Sequence, residues 1–158
     1  MHAARYRIPD EPRPTGLIRY AVDPMWPLLA LMLSGNALGL AWFAFNSRAL
    51  GSASAAREWA YIAASLIGCV LLALAIGWAR QNGVLENSAI QYAALAFPAL
   101  KLSLGYALYV SQSRSTELIL HFGGELRNGA VGLLICFVAA RGVLDTLELP
   151  RLLSITLR

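Results

Sequence analysis

Residues 89–110 form an apolar run of about twenty residues that carries one lysine, Lys101, near its middle. A run of this length predicts a helix through a bilayer, because only a helix or a closed barrel satisfies its own backbone hydrogen bonds there. A cation at the centre of such a helix is costly, so we expect a neighbouring helix to supply a partner. The chain is 58% hydrophobic and only 14% charged, which also favours a polytopic membrane protein over a soluble domain.

Three further apolar segments predict an all-α integral membrane protein built as a bundle of four transmembrane helices. The predicted spans are about 25–45, 59–79, 89–110 and 118–140, the last running on past Arg141. Together they give a transmembrane domain over 25–149, preceded by a polar, proline-containing arm over 1–24 and followed by an amphipathic tail over 150–158. The connection 81–87 is short, which predicts an antiparallel hairpin of spans two and three.

The fourth span has more than one interpretation, because only 130–140 is uninterrupted by polar residues. The three registers are 118–140, 130–149, and one long helix over 116–149. The second of these buries Arg141 in the membrane. We favour the first, because Glu125 then lies about one turn from the depth of Lys101 and becomes its natural partner.

Pro98, Lys101 and Gly105 share one face of the third predicted span. The proline leaves the carbonyl of Ala94 without its usual donor, and the glycine opens space beside the lysine. One interpretation is that Lys101 pairs with an acid and only fixes helix packing. The other is a polar cavity or ion path, because ionisable groups inside membranes are typical of functional sites.

The first predicted span contains Gly35 and Gly39, four residues apart, with Asn36 between them. Glycines at this spacing leave a groove in which a second helix can approach closely, so we expect a packing contact there. Asn36 needs a hydrogen-bond partner at that depth, which predicts a contact with a neighbouring helix.

An internal repeat is a further hypothesis. Residues 31–34 resemble 100–103, and a glutamate lies eleven residues before each of the cysteines, Cys69 and Cys136. The chain would then consist of two tandem helix hairpins related by a pseudo-two-fold axis along the membrane normal.

The sequence offers little to support catalysis, and we predict neither an enzyme nor a cofactor. Glu117, His121 and Glu125 recur every four residues and could converge on a metal, but such a face is more often a solvated helix end, so no metal site is predicted. The net charge is +4, yet the arginines are scattered between apolar runs, and nucleic-acid binding is not expected.

Eight of the twelve arginines lie in the arm, beside the 81–87 connection, at Arg141 or in the tail, which predicts an inner-membrane protein with both termini cytoplasmic. Two functions remain open. The first is a small transport or channel-type protein that acts as a homo-oligomer, with Lys101, Glu125 and Asn36 lining its polar interior. The second is a non-catalytic scaffold or accessory subunit of a larger membrane complex, whose partners are the lipid bilayer and another membrane protein.

Overall fold

The computed structural model describes residues 16–146, apart from the side chains of Asn87 and of residues 143–146. Over this range the chain is helical and forms no strand, which confirms the predicted all-helical class. A short 3-10 helix, Ile18–Tyr20, precedes the α-helices. These are α1 (Met25–Ser34), α2 (Asn36–Leu50), α3 (Ala55–Gln81), α4 (Asn87–Ala94), α5 (Ala96–His121) and α6 (Ala130–Thr146). Most of the predicted arm and all of the predicted tail lie outside the described residues.

The first predicted span is wrong, because residues 25–45 belong to two short helices that fold back on each other. The chain reverses at Gly35, whose φ of 90° lies in the region that favours glycine. Helix α2 then packs so closely on α1 that a Cβ at Gly39 would overlap the backbone of Leu31. With 10 and 15 residues, these helices are about 15 and 22 Å long, too short to cross a bilayer singly. The two glycines therefore do mediate close packing, but within one hairpin.

Helices α3 and α5 form the long antiparallel pair expected from spans two and three. Both α3 and the segment Ser88–His121 are long and apolar enough to cross a membrane. Glu58 of α3 bonds Gln112 of α5, and the α3 residue Gly68 lies against Leu100, which fixes the register of the pair. The segment Ser88–His121 is interrupted at Leu95, three residues before Pro98. The break directly follows Ala94, whose carbonyl the proline is predicted to leave without a donor.

The last helix begins at Ala130, as in the register over 130–149 and unlike the favoured register over 118–140. Residues 118–121 complete α5, and 122–129 form the connection. Gly123 has a φ of +78°, the N–H of Gly124 bonds the carbonyl of Ile119, and Asn128 caps the N–H of Ala130 at 2.9 Å. Two glycines and a capping asparagine thus end one helix and begin the next.

Five helix ends meet at one end of the bundle, which we call the Glu58 end. They are the beginnings of α1, α3 and α6 and the ends of α2 and α5. Two contacts join the start of the described chain to the α5–α6 connection at this end. The N–H of Arg127 donates to the carbonyl of Ala21 at 2.9 Å, and Trp26 of α1 packs on Gly129. Helix α6 then runs to the opposite end, so the described chain begins and finishes at opposite ends of the bundle. The two predicted tandem hairpins are absent from it, since 25–50 forms two short helices and 96–121 forms one long one.

Candidate functional site

A buried carboxylate, Glu58 in the first turn of α3, is the centre of a polar cluster at this end of the bundle. Its side chain is fully buried, and it is the only charged residue among the buried ones that the structure describes. The Oε1 atom accepts hydrogen bonds from the hydroxyls of Ser52 at 2.5 Å, Ser54 at 2.8 Å and Ser111 at 3.3 Å. The Oε2 atom accepts one from Nε2 of Gln112 at 3.0 Å. Neutral donors from α5 and the α2–α3 turn therefore solvate this carboxylate in the interior.

Two buried amides extend the cluster across the bundle. Gln112 also donates to the carbonyl of Phe43 at 2.9 Å and accepts from Nδ2 of Asn46 at 3.0 Å. Asn46 in turn holds the backbone of Val22, accepting from its N–H at 3.0 Å and donating to its carbonyl at 3.1 Å. The segment before α1 is thus tied through α2 and α5 to the carboxylate on α3. We call these residues, with the three serines, the Glu58 cluster.

The small and polar residues of the α2–α3 connection predict a flexible loop. In the structure α2 continues to Leu50 and ends at Gly51, which has a φ of 61°. The two serines that follow, Ser52 and Ser54, both bond Glu58. Sequence reasoning missed this site. The available signal was an acid at the start of an apolar run with a serine four residues before it, on the same helical face.

An open cleft of about 650 Å³ lies beside the Glu58 cluster, between the start of α3 and the last turns of α5. Two exposed arginines, Arg57 and Arg114, line it and also line a neighbouring hollow of about 300 Å³. Ser54, Ser111 and Ser115 are polar lining residues of the cleft, with Glu117 and His121 further along α5. Nη2 of Arg57 donates to Ser111 at 3.3 Å, and Ser111 donates to Glu58, so one hydroxyl connects the cleft to the buried carboxylate.

Two of the predicted site residues, Asn36 and Lys101, meet at Cys69 of α3. Asn36, at the tip of the α1–α2 hairpin, donates to its Sγ at 3.4 Å, and half-buried Lys101 lies close enough for an electrostatic interaction. Lys101 is eleven residues from Gln112 along α5, and Cys69 is eleven residues from Glu58 along α3. The interior thus contains two polar layers about 16 Å apart along the helix axes.

An apolar layer separates the two polar layers. Its members come from α1, α2, α3 and α5 and are almost completely buried: Leu31, Leu40, Phe43, Ile62 and Leu108. The hydroxyls of Ser34 and Ser65 are buried without a hydrogen-bond partner among the described residues. The described interior therefore alternates polar, apolar and polar along the bundle axis.

The predicted partner of Lys101 is wrong. Glu125 is exposed in the α5–α6 connection, and Lys101 lies twenty residues before the end of α5, so about 30 Å of helix separates them. The predicted gap at Gly105 is also filled, because Leu31 of α1 packs directly on that glycine. Pro98 is exposed in the first turn of α5.

Glu117, His121 and Glu125, which recur every four residues in the sequence, do not share one helical face in the structure. Glu117 and His121 line the cleft, but Glu125 lies beyond the end of their helix. Within residues 16–146 no group of three or more histidine, cysteine or acidic side chains is placed to hold a metal ion.

No family model, curated protein or solved structure matches this chain. The geometry of the Glu58 cluster, the cleft and the polar layers is therefore the basis on which a function can be argued.

Proposed function

We propose that this chain is an integral membrane protein of the transport type, whose polar interior is the Glu58 cluster together with the Lys101 layer. The distribution of side chains supports insertion into a bilayer. Only 22% of the most apolar 18-residue stretch of α3 is buried inside the protein, and only 11% of the corresponding stretch of Ser88–His121. A core helix of a soluble protein would be mostly buried, whereas a lipid-facing helix leaves its apolar residues outside.

The interior supports the same conclusion. Ser, Asn, Gln and Glu side chains are buried on either side of the apolar layer, while large residues such as Ile67, Leu71 and Leu134 are exposed. Hydrocarbon offers no hydrogen bonds, so polar side chains face inward and apolar ones face outward in a membrane protein.

The single observation that carries the transport proposal is the buried Glu58 carboxylate. A charge held only by neutral donors costs more free energy than an apolar side chain of the same size, so packing alone is a poor reason for it. The α1–α2 hairpin adds support, since half-length helices that meet inside a bundle are typical of solute sites in transporters. The apolar layer between the polar layers would act as the closed gate.

Flux through proteoliposomes tests this proposal, with protons, potassium, chloride and inorganic phosphate as the probes. We expect at least one of them to cross in the presence of the wild-type protein. Glu58→Gln and Lys101→Met are expected to lower that flux roughly tenfold or more, because each removes an interior charge that such a solute would contact. Glu125→Gln is the matched control, since this acid is exposed in the α5–α6 connection and belongs to neither polar layer, and its flux is expected to equal that of the wild type.

The rival function, a non-catalytic scaffold or accessory subunit, is favoured by one observation. Both oxygens of Glu58 have hydrogen-bond donors, so the cluster also works as a device that fixes the helices in one arrangement. An absence of flux for all four probes, together with co-purification of another membrane protein in fixed stoichiometry, would replace the transport proposal with this one. We expect a homo-oligomer in the first case and a hetero-complex in the second.

A further inference from the structure

We propose that the open cleft binds a phosphate-type oxyanion, with Arg57 and Arg114 as its charged donors and Glu58 as an opposing charge beneath it. The inference rests on the proposed function and deepens it by naming the class of solute. The same chemistry would be offered by a free phosphorylated solute or by the headgroup of an anionic lipid.

The two arginines make the cleft suitable for an oxyanion. They come from different helices, α3 and α5, and both side chains line the cleft and the adjoining hollow, so they stand on the boundary between the two. A guanidinium presents several N–H donors in one plane, which matches two oxygens of a phosphate group at once. The hydrogen bond from Arg57 goes to a serine hydroxyl and not to a carboxylate, so its charge is available to a ligand.

The serines on the cleft floor couple the site to Glu58. A hydroxyl has one proton, which Ser54 donates to Oε1 of the carboxylate, and that of Ser111 goes either to the same oxygen or to Oγ of Ser54 at 3.0 Å, so both protons point away from the cleft. They therefore present lone pairs to the cleft, and the charge of Glu58 lies one hydroxyl away. Both effects oppose an anion, so loss of the negative charge on Glu58 would strengthen anion binding.

The substitution Glu58→Gln reproduces that loss of charge. Because Gln112 keeps donating from Nε2, the new amide is best satisfied with its oxygen toward Gln112 and its NH₂ toward the serines. The hydroxyl protons of Ser54 and Ser111 are then free to turn into the cleft. The variant is thus expected to bind the oxyanion several-fold more tightly, even though it transports less.

Binding to the purified full-length protein in non-ionic detergent tests the inference, by calorimetry with two probes. The first is inorganic phosphate, and the second is phosphatidylglycerol in mixed micelles, which distinguishes a free solute from a lipid headgroup. We expect saturable binding of at least one probe, weakened roughly ten- to a hundredfold by Arg57→Gln and by Arg114→Gln. The affinity of Arg57→Lys is expected to lie between those of the wild type and Arg57→Gln. Arg48→Gln removes an exposed arginine at the same end but outside the cleft, and it should bind as the wild type does.

Absence of saturable binding for both probes, or equal binding by the wild type and Arg114→Gln, would overturn the inference. Weaker binding by Glu58→Gln would overturn the opposing role of that carboxylate. Arg57 bonds Ser111 of the Glu58 cluster, whereas no such bond joins Arg114 to it among the described residues, so Arg114→Gln is expected to fold even if Arg57→Gln does not. Binding and flux are measured in separate experiments. A protein that binds a probe but transports none contradicts only the transport proposal, and a protein that transports a probe but binds neither contradicts only the inference.

Discussion

Gln112 is the residue through which the polar interior is held together. Its amide bonds Glu58 of α3, and both Asn46 and the carbonyl of Phe43 on α2, while the residue itself is fully buried on α5. Removing a side chain of this kind leaves several buried polar groups unpaired, and the cost of each is larger than the net gain from forming the bond. Gln112 is therefore central to stability, whichever function the protein performs.

Gln112→Ala is expected to lower the free energy of unfolding by about 3 kcal/mol or more, because Glu58 and Asn46 both lose a partner. The apparent melting temperature in detergent, followed by circular dichroism, measures the effect. Gln91→Ala is the matched control, since Gln91 is exposed on α4. Equal melting temperatures of the two variants would contradict the role given to Gln112.

The α1–α2 hairpin is the element that departs most from what the sequence predicts. Residues 25–45 have the length and composition of one span, and composition does not distinguish one long apolar helix from two short ones that pack together. The local signs of the reversal are Gly35, which adopts a positive φ, and Gly39, which admits the backbone of α1. The hairpin also contacts residues far along the chain, such as Gln112 of α5, which donates to the carbonyl of Phe43.

Gly39→Ala is expected to destabilise the protein by about 1–3 kcal/mol or more, because the added methyl group overlaps backbone atoms that have little freedom to move. Gly77→Ala is the control, since a Cβ there meets nothing within 4 Å and alanine favours the helix. The measurement is again the apparent melting temperature. A Gly39→Ala variant as stable as Gly77→Ala would mean that the two short helices do not pack as described.

The sequence predicts well those features that depend on length and local chemistry. The apolar runs locate α3 and the α4–α5 segment, and Pro98 marks the vicinity of the break at Leu95. It predicts poorly what depends on partners. Lys101 and Asn36 stand out in the sequence because they are polar at the centre of apolar runs, and both approach Cys69 in the structure. The pairing with Glu125 depends on a helix register that Gly123 and Gly124 prevent, and the role of Glu58 depends on Gln112, which a distant helix supplies.

At the scale of the whole molecule, the hairpin changes the expected topology. Four full crossings would place the arm and the α3–α4 turn on one side of a bilayer. In the described fold the chain before α1 lies instead at the Glu58 end, together with the α2–α3 and α5–α6 connections. The five arginines at this end are Arg19, Arg48, Arg57, Arg114 and Arg127, against Arg80 and Arg141 towards the other. By the excess of positive charge in cytoplasmic segments, we expect the Glu58 end to face the cytoplasm.

The most direct test of this account is the sidedness of single cysteines toward a membrane-impermeant maleimide. The background carries Cys69→Ser and Cys136→Ala, and the labelled positions are Arg19→Cys, Ala53→Cys and Asn82→Cys, all exposed in the structure. In sealed inside-out vesicles we expect label at the first two positions and none at the third, with the reverse in right-side-out vesicles. Labelling of Arg19→Cys and Asn82→Cys from the same side of the membrane, and of Ala53→Cys from the other side, would contradict the hairpin and support four crossings. Label at all three positions from both sides would contradict insertion into the membrane.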